Sequence, residues 1–222
     1  MGPRRAWATT LLVAGVLGGC GGTAEPVARL DGSAPSGAQA LAFARAVNLR
    51  ATDAPSMTVD AREKPAPRAP GELAFARCEG GVSPADFLVD MRSALFWVER
   101  GHRWSAFRSR VAVMRSEALA RRNVDALASA RGVRCATEPG VSVSSVALAL
   151  PDGARAVGLR FVVPANRNGK HQVTYKEMLA FVSGPAEVEF TAAGTPDPVS
   201  PQTEQTLLAL LHRRATAARA TL

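Results

Sequence analysis

Alternation of apolar and polar residues is the strongest pattern in this chain and is clearest in its C-terminal third. Apolar residues occupy every second position from Val157 to Val163, which is typical of a β-strand with one buried face. Asn168-Gly169 after it is a common hairpin turn. Because such short turns join antiparallel strands, the pattern predicts an antiparallel sheet. The predicted strands cover residues 94–99, 107–113, 141–150, 157–163, 173–182 and 186–190.

Two strands make specific predictions about acidic residues. In the strand at 173–182 the apolar positions change parity after Tyr175, which predicts a β-bulge near Glu177. In the strand at 186–190, apolar residues alternate with Glu187 and Glu189, so both carboxylates are expected to face solvent.

Three segments have helical spacing of apolar residues, and each begins at a serine suited to cap a helix. They are predicted as helices over residues 36–48, 116–131 and 200–215, with Gly132 ending the second. Helices with one apolar side must pack on a sheet. The fold is therefore predicted to be a single α+β domain over residues 36–222. Two or three helices are expected to pack on one face of an antiparallel sheet of about five or six strands.

The N-terminus has the pattern of an export signal. Arg4 and Arg5 precede an uncharged, mostly apolar stretch over residues 6–19, which is too short to span a bilayer. The Leu-Gly-Gly-Cys sequence at its end resembles the lipobox of bacterial lipoproteins, in which the cysteine becomes the first mature residue and carries lipid such as palmitate. The alternative is an ordinary secretory signal that happens to contain Cys20.

Residues 1–19 are thus predicted to be a lipoprotein signal peptide, and residues 20–35 the lipidated Cys20 with a flexible tether. Fifteen tether residues reach about 20 Å, so the domain should stay near the membrane. The predicted location is the outer face of the bacterial cell membrane, to which lipidated Cys20 anchors the chain.

Composition and charge limit the class of partner. With 47% apolar residues, the chain is not expected to be disordered. The formal net charge is +8, and removal of residues 1–19 leaves 25 basic and 19 acidic residues, or +6. Outside the cytoplasm the available anions are phospholipid headgroups and wall polymers, so nucleic acid is not an expected partner.

Besides Cys20, the chain contains Cys78 and Cys135. Two cysteines in an exported protein most simply form one structural disulfide. A redox-active pair would be expected as Cys-x-x-Cys, and a metal site would be expected to include a histidine close to a cysteine. The sequence has neither feature, so neither a metal site nor a cofactor is expected.

The sequence contains no motif of a known catalytic centre such as Gly-x-Ser-x-Gly or His-Glu-x-x-His. The three histidines, His102, His171 and His212, are predicted in a turn, at a strand start and on the last helix. Each is interpreted as solvated, so no catalytic residue is assigned and the protein is expected not to be an enzyme. A dispersed serine-hydrolase triad remains open as an alternative.

One group of residues is a candidate binding surface. Arg100, Arg103, Arg108 and Arg110 are close in sequence to His102 and to the aromatic residues Trp97, Trp104 and Phe107. The simpler interpretation is a solvated strand face with its arginines outward, where charge protects a sheet edge. The alternative is a basic, aromatic-edged patch that binds anionic lipid headgroups or wall polymer through arginine–phosphate contacts.

The strand–helix–cysteine unit at 109–135, SRVAVMRSEALARRNVDALASARGVRC, resembles a group of actinobacterial envelope proteins. These are the extracytoplasmic sensor domains of receptor serine/threonine kinases and related small lipoproteins, which share a PsbP/Mog-type α+β sheet. The likeness extends over about 105–222. The kinase sensor domains carry two disulfides, whereas this chain has cysteines for one. The resemblance implies a ligand- or partner-binding module without catalysis and transfers no site residues.

The expected function is therefore that of a membrane-anchored, non-enzymatic module that binds an envelope protein, a wall polymer or a lipid ligand. The alternative is a carrier that holds a lipid-like molecule in an apolar cleft between helices and sheet, which would need a cavity of several hundred Å³.

Overall fold

The structure is a computed structural model that describes residues 34–60, 75, 77–167 and 170–222. The predicted signal peptide, Cys20 and the Asn168-Gly169 turn lie outside the described residues. The helices are α1 (Gly37–Val47), α2 (Glu117–Ala128), α3 (Ala130–Ala136) and α4 (Pro201–Ala218), and residues 77–79 are also helical. The strands are β1 (Thr58–Asp60), β2 (Phe87–Arg92), β3 (Leu95–Arg100), β4 (Arg103–Met114), β5 (Ser142–Ala149), β6 (Arg155–Arg167), β7 (Lys170–Ser183) and β8 (Ala186–Thr195).

These strands form one antiparallel sheet in the order β1-β3-β4-β8-β7-β6-β5. β2 pairs with the C-terminal half of β4, on the edge where β3 pairs with its N-terminal half. The α+β class is confirmed. The sheet has eight strands rather than the expected five or six: the alternation at 57–60 allows the short edge strand found as β1, whereas β2 has no strand signal in the sequence.

Helices pack on both faces of the sheet, so the expectation of helices on one face is wrong. On one face, α1 and α4 cover the largest core, which contains Phe43, Phe96, Phe181 and Phe190. On the other face, Val124 and Leu127 of α2 pack against Leu159 and Ala180, and Ala120 packs near Met114. Central strands with apolar residues at both parities need cover on both sides.

Serine caps begin the helices as predicted. The Ser36 side chain accepts a hydrogen bond from the Gln39 amide, and Ser116 and Ser200 cap α2 and α4 in the same way. The predicted end at Gly132 is wrong, because the chain leaves α2 at Ser129 and enters α3. Gly132 lies inside α3, where a Cβ atom would come within 2.4 Å of the Leu127 carbonyl oxygen.

The predicted bulge near Glu177 is also wrong. β7 pairs with β8 in unbroken register from Tyr175 to Ser183. The change of parity in the sequence arises because β7 is a central strand with apolar side chains on both faces, such as Leu179 on one and Ala180 on the other. Glu177 shares the face of Leu179 and is buried.

The disulfide between Cys78 and Cys135 is present, with the two Cα atoms 5.8 Å apart. It joins the segment before β2 to α3. The predicted pairing is therefore confirmed.

Replacing both cysteines, Cys78→Ser with Cys135→Ser, should lower the free energy of unfolding by about 4 kcal/mol, because the unfolded chain regains the freedom of a loop of this length. Urea unfolding of the double variant and of the oxidised parent measures the difference. A loss below about 1 kcal/mol would show that the bridge does not restrain the unfolded chain in the expected way.

Candidate functional site

The four arginines of the predicted patch do not form one surface. Arg110 is buried and ion-paired with acidic side chains. Strand alternation places Arg100 and Arg103 on the face of the sheet that carries Phe107, and Arg108 on the opposite face. Arg103 pairs with Asp197, at 3.3 Å, on an exposed part of the surface. Phe107 belongs to the main core and is 5% exposed, so it does not edge the patch.

A different surface emerges on the face that carries Arg108. A single row of directly opposed residues crosses five strands, from Trp97 through Ala106, Ala193 and Lys176 to Phe161. The middle of the row is made of alanines, whereas both ends carry large side chains. The result is a shallow trough, about 14 Å wide between the strands of Trp97 and Lys176, whose floor is the buried Ala106 and the half-buried Ala193.

The neighbouring rows complete this trough. Towards the β3–β4 turn lie Glu99, Trp104, Thr195 and Thr174, and the hydroxyls of Thr174 and Thr195 are 2.7 Å apart. On the other side lie Arg108 and Thr191. We call this surface the trough; it consists of Trp97, Glu99, Trp104, Ala106, Arg108, Phe161, Thr174, Lys176, Thr191, Ala193 and Thr195.

The large side chains of the trough are accessible. Trp97, Trp104, Arg108 and Phe161 are half-buried, and Lys176 is exposed. Trp97 is diagonal to both Trp104 and Arg108, because all three surround Ala106. The Lys176 ammonium lies 5.5 Å from the centre of the Phe161 ring, within cation–π range. The trough thus offers indole faces at one end, a cation on a ring at the other, and hydroxyls between them.

One row beyond Arg108, the sheet holds a buried charge cluster centred on Arg110. Its guanidinium donates two hydrogen bonds to Asp90, at 2.6 and 2.9 Å, and one to Glu189, at 3.0 Å. Glu187 lies 3.4 Å from the same guanidinium. The expectation that Glu187, Glu189 and Arg110 face solvent is therefore wrong. These residues face α2, which covers this end of the sheet.

The cluster controls the ionisation of its members. Burial alone would raise the pKa of Glu189, but the Arg110 charge and the Thr191 hydroxyl outweigh burial and lower that pKa. Burial also acts against the charge of Arg110, yet its acidic partners raise the Arg110 pKa well above the usual value. Arg110 and Glu189 are therefore held charged, and the Arg110 side chain is occupied inside the protein.

A second buried acidic pair lies on the opposite face, where the start of α4 meets β7. Glu177 and Glu204 are each 4% exposed, and Arg160 Nε donates to Glu177 Oε1 at 2.5 Å. Burial first, and then the charge and hydrogen bond of Glu177, raise the pKa of Glu204 to about 8, against the opposing effect of Arg160. Glu204 is thus protonated at neutral pH.

Sequence reasoning missed this pair although a signal was present. Glu177 occupies the same strand parity as the buried Leu179 and Phe181, and Glu204 belongs to the apolar stripe of α4 with Leu207 and Leu208. A carboxyl at an otherwise apolar position indicates a buried titratable group.

The three histidines lie on separate elements. His102 is in the exposed turn between β3 and β4, and His171 is exposed on β7. His212 lies on α4 with its ring edge-on to Phe181, 5.5 Å away, so it packs against the core instead of being fully solvated. In the described part of the chain, no three His, Cys, Asp or Glu side chains are grouped to hold a metal ion.

Arg110→Ala should lower the free energy of unfolding by about 3–5 kcal/mol at pH 7, because three buried or half-buried carboxylates would lose their common partner. The loss should shrink at lower pH, where the carboxylates become protonated. Urea unfolding between pH 7 and pH 4.5 measures both effects, with Arg108→Ala as the matched control on the same strand face. An equal loss in both variants would contradict the assignment.

Glu204→Gln should remove a pH dependence of stability. The pKa of Glu204 is raised in the folded state, so the stability it contributes is complete below its unfolded value of 4.5 and is lost as the pH rises through about 8. The variant should therefore lose less stability than the parent between pH 5 and pH 8.5 in thermal unfolding. Glu99→Gln, at an exposed position, is the control and should keep the parent's slope.

Comparison with family models, with curated proteins and with solved structures found no match to this chain. Over the described residues, none of the helices combines the length and the apolar character needed to cross a membrane.

Proposed function

We propose that the protein is an exported, membrane-anchored lipoprotein with a non-enzymatic domain that binds an anionic cell-wall polymer in the trough. The observation that carries the proposal is the row from Trp97 to Phe161, in which small floor residues separate accessible aromatic and basic side chains. Tryptophan and arginine are enriched among the interface residues that contribute most of the binding energy.

The chemistry of the trough favours an elongated, uneven ligand. Indole faces pack against the apolar faces of flat groups while their N–H groups remain available to polar partners. Arg108 and Lys176 suit phosphate or carboxylate groups, and the hydroxyl of the half-buried Thr174, which is already bonded to Thr195, has a further lone pair for a sugar hydroxyl. A wall polysaccharide that carries anionic groups combines all three requirements.

Three observations support an extracytoplasmic setting. The Cys78–Cys135 disulfide is of the kind that forms and persists in oxidising compartments. The N-terminal sequence resembles a lipoprotein signal, and the unit at 109–135 resembles envelope sensor domains that act without catalysis. A tether of about 20 Å would keep the trough within reach of the innermost wall polymer.

The carrier alternative gains no support from the main core. The space between the sheet and helices α1 and α4 is filled by large side chains that are at most 2% exposed, among them Phe43, Phe96, Phe181 and Phe190. We therefore place the ligand on the surface of the sheet and not between the layers.

Trp97→Ala and Arg108→Glu should each weaken binding to purified, phosphate-bearing wall polysaccharide by about tenfold to a hundredfold, since each removes a large side chain that lines the trough. Isothermal titration calorimetry measures the dissociation constants. Arg100→Glu makes the same charge change on the opposite face of the sheet and should leave binding within about twofold.

The outcome is decided by comparison of the variants. If Arg100→Glu weakens binding as much as Arg108→Glu, the attraction is a general charge effect and the trough is not the site. If phosphatidylglycerol vesicles bind the parent and polysaccharide does not, the ligand is the membrane surface and the polymer proposal fails.

A further inference from the structure

The strand β5 forms one end of the sheet and has an unusual composition for that position. It pairs with β6 in unbroken register from Ser142 opposite Val162 to Ala149 opposite Arg155. Within the described ranges, β6 is its only strand partner, so the outer backbone groups of β5 face away from the sheet. The other end of the sheet is formed by β2 and by the three described residues of β1, and β2 carries Asp90 and Arg92, charges of the kind that protect an edge.

Edge strands usually carry features that prevent pairing with another chain, such as lysine, proline, inward charges or bulges. β5 has none of these. Its eight residues, SVSSVALA, are uncharged and contain no proline, and each is either exposed or half-buried. In a chain in which 21% of residues are charged, this edge is open to strand addition.

We infer that β5 is a homodimer interface, where β5 of a second copy adds in antiparallel orientation about a two-fold axis. The charge of the protein selects this edge. Two copies of a mature chain with formal net charge +6 repel each other over most approaches, whereas β5 brings no charge to the contact. Antiparallel pairing of a strand with itself is also isologous, so it closes at two copies and does not propagate.

The two faces of the strand limit the register. A two-fold axis perpendicular to the sheet places each residue opposite one of the same face, so one residue lies opposite its own copy. Axes at Ser145 and at Val146 both avoid opposing two different bulky residues; of these two, the axis at Val146 also brings the half-buried Val146 against its own copy, with Leu148 opposite Ser144 and Val143 opposite Ala149. Val146 and Leu148 already pack against the main core, which the added strand would extend.

This arrangement also bears on the proposed function, on which the following consequence rests. Because the axis is perpendicular to the sheet, the troughs of both copies lie on the same face of the joined sheet. One polymer chain that reaches both troughs would bind with the gain expected for two linked sites.

The mature chain with Cys20→Ser, which removes the acylated cysteine and its thiol, is suited to sedimentation velocity over a range of concentrations. We expect a reversible dimer. Ser145→Lys introduces a charge beside the axis and should raise the dimer dissociation constant by at least about tenfold. Thr58→Lys makes a matched change on the other edge strand, β1, and should leave that constant unchanged.

Cross-linking tests the register independently of affinity. At the axis, Val146→Cys faces its own copy at a Cα separation of about 4.5–5.5 Å, which is within disulfide range. Oxidation should link Val146→Cys into a covalent dimer but leave Thr58→Cys monomeric. Thermal unfolding of each variant verifies that it is folded.

A parent that stays monomeric at all concentrations, or a dimer that neither Ser145→Lys weakens nor Val146→Cys cross-links, would overturn the inference. Polysaccharide binding by the monomeric Ser145→Lys variant tests the trough separately. Polysaccharide binding that is lost in Trp97→Ala but kept in Ser145→Lys would support the trough even if the dimer does not form. Binding that is kept in Trp97→Ala would contradict the proposed function and leave the dimer to be judged by sedimentation and cross-linking.

Discussion

The buried guanidinium of Arg110 is the interaction on which the arrangement of this sheet depends. It binds Asp90 of β2 and Glu189 of β8 from the strand that lies between them. Glu187, beside it, accepts a hydrogen bond from the side-chain amide of Asn123 on α2. The side-chain oxygen Oδ1 of Asn123 in turn accepts a hydrogen bond from the backbone amide of Val82. One cation thus links three strands, and through Glu187 it reaches the helix and the segment before β2. Any shift of β8 along β4 would separate these charges in a site that water reaches poorly, at a cost of several kcal/mol.

Fixing that register also fixes the trough. The Arg110 row and the Trp97 row are four residues apart along β4, so the pairing that joins Arg110 to Glu189 also sets Ala106 opposite Ala193. A register shift by two residues would bring Arg108 opposite Ala193 and place a large side chain on the floor. The trough is accessible because the helices cover the two faces of the sheet unequally. Helices α1 and α4 cover one face, whereas α2 and α3 leave the end of the second face near Trp104 accessible.

The outline of the fold followed from short-range patterns, whereas the errors came from long-range pairing. Capping serines and alternating residues predicted the helix starts and the strands β3 to β8, because these signals are contained in a few neighbouring residues. The orientation of Arg110 could not be predicted in that way, since arginine on an alternating strand normally faces water. Its burial depends on Asp90 and Glu189, which are 20 and 79 residues away in the sequence. For the candidate site, Trp97, Trp104 and Arg108 were identified from their proximity in sequence. Lys176, Phe161 and the alanine floor were not, because only the strand order brings them into one row.

The two buried acidic clusters act on stability in opposite directions with pH, and their partners explain why. Glu189 has a full cation beside it, so its lowered pKa favours the folded state above about pH 4.5, and that contribution is lost as acid protonates the carboxylate. Glu204 instead faces Glu177, whose charge is already engaged by Arg160, so it folds as the neutral acid and its contribution is lost towards pH 8. The free energy of unfolding therefore falls on the acid side because of the Glu189 cluster and on the alkaline side because of Glu204. The protein should be most stable in mildly acidic solution, where Glu189 is ionised and Glu204 is not. Both carboxyls are desolvated, but the α2 face has a buried arginine at its centre, whereas on the α4 face Glu204 lies beside another carboxyl and the cation is half-exposed at the rim.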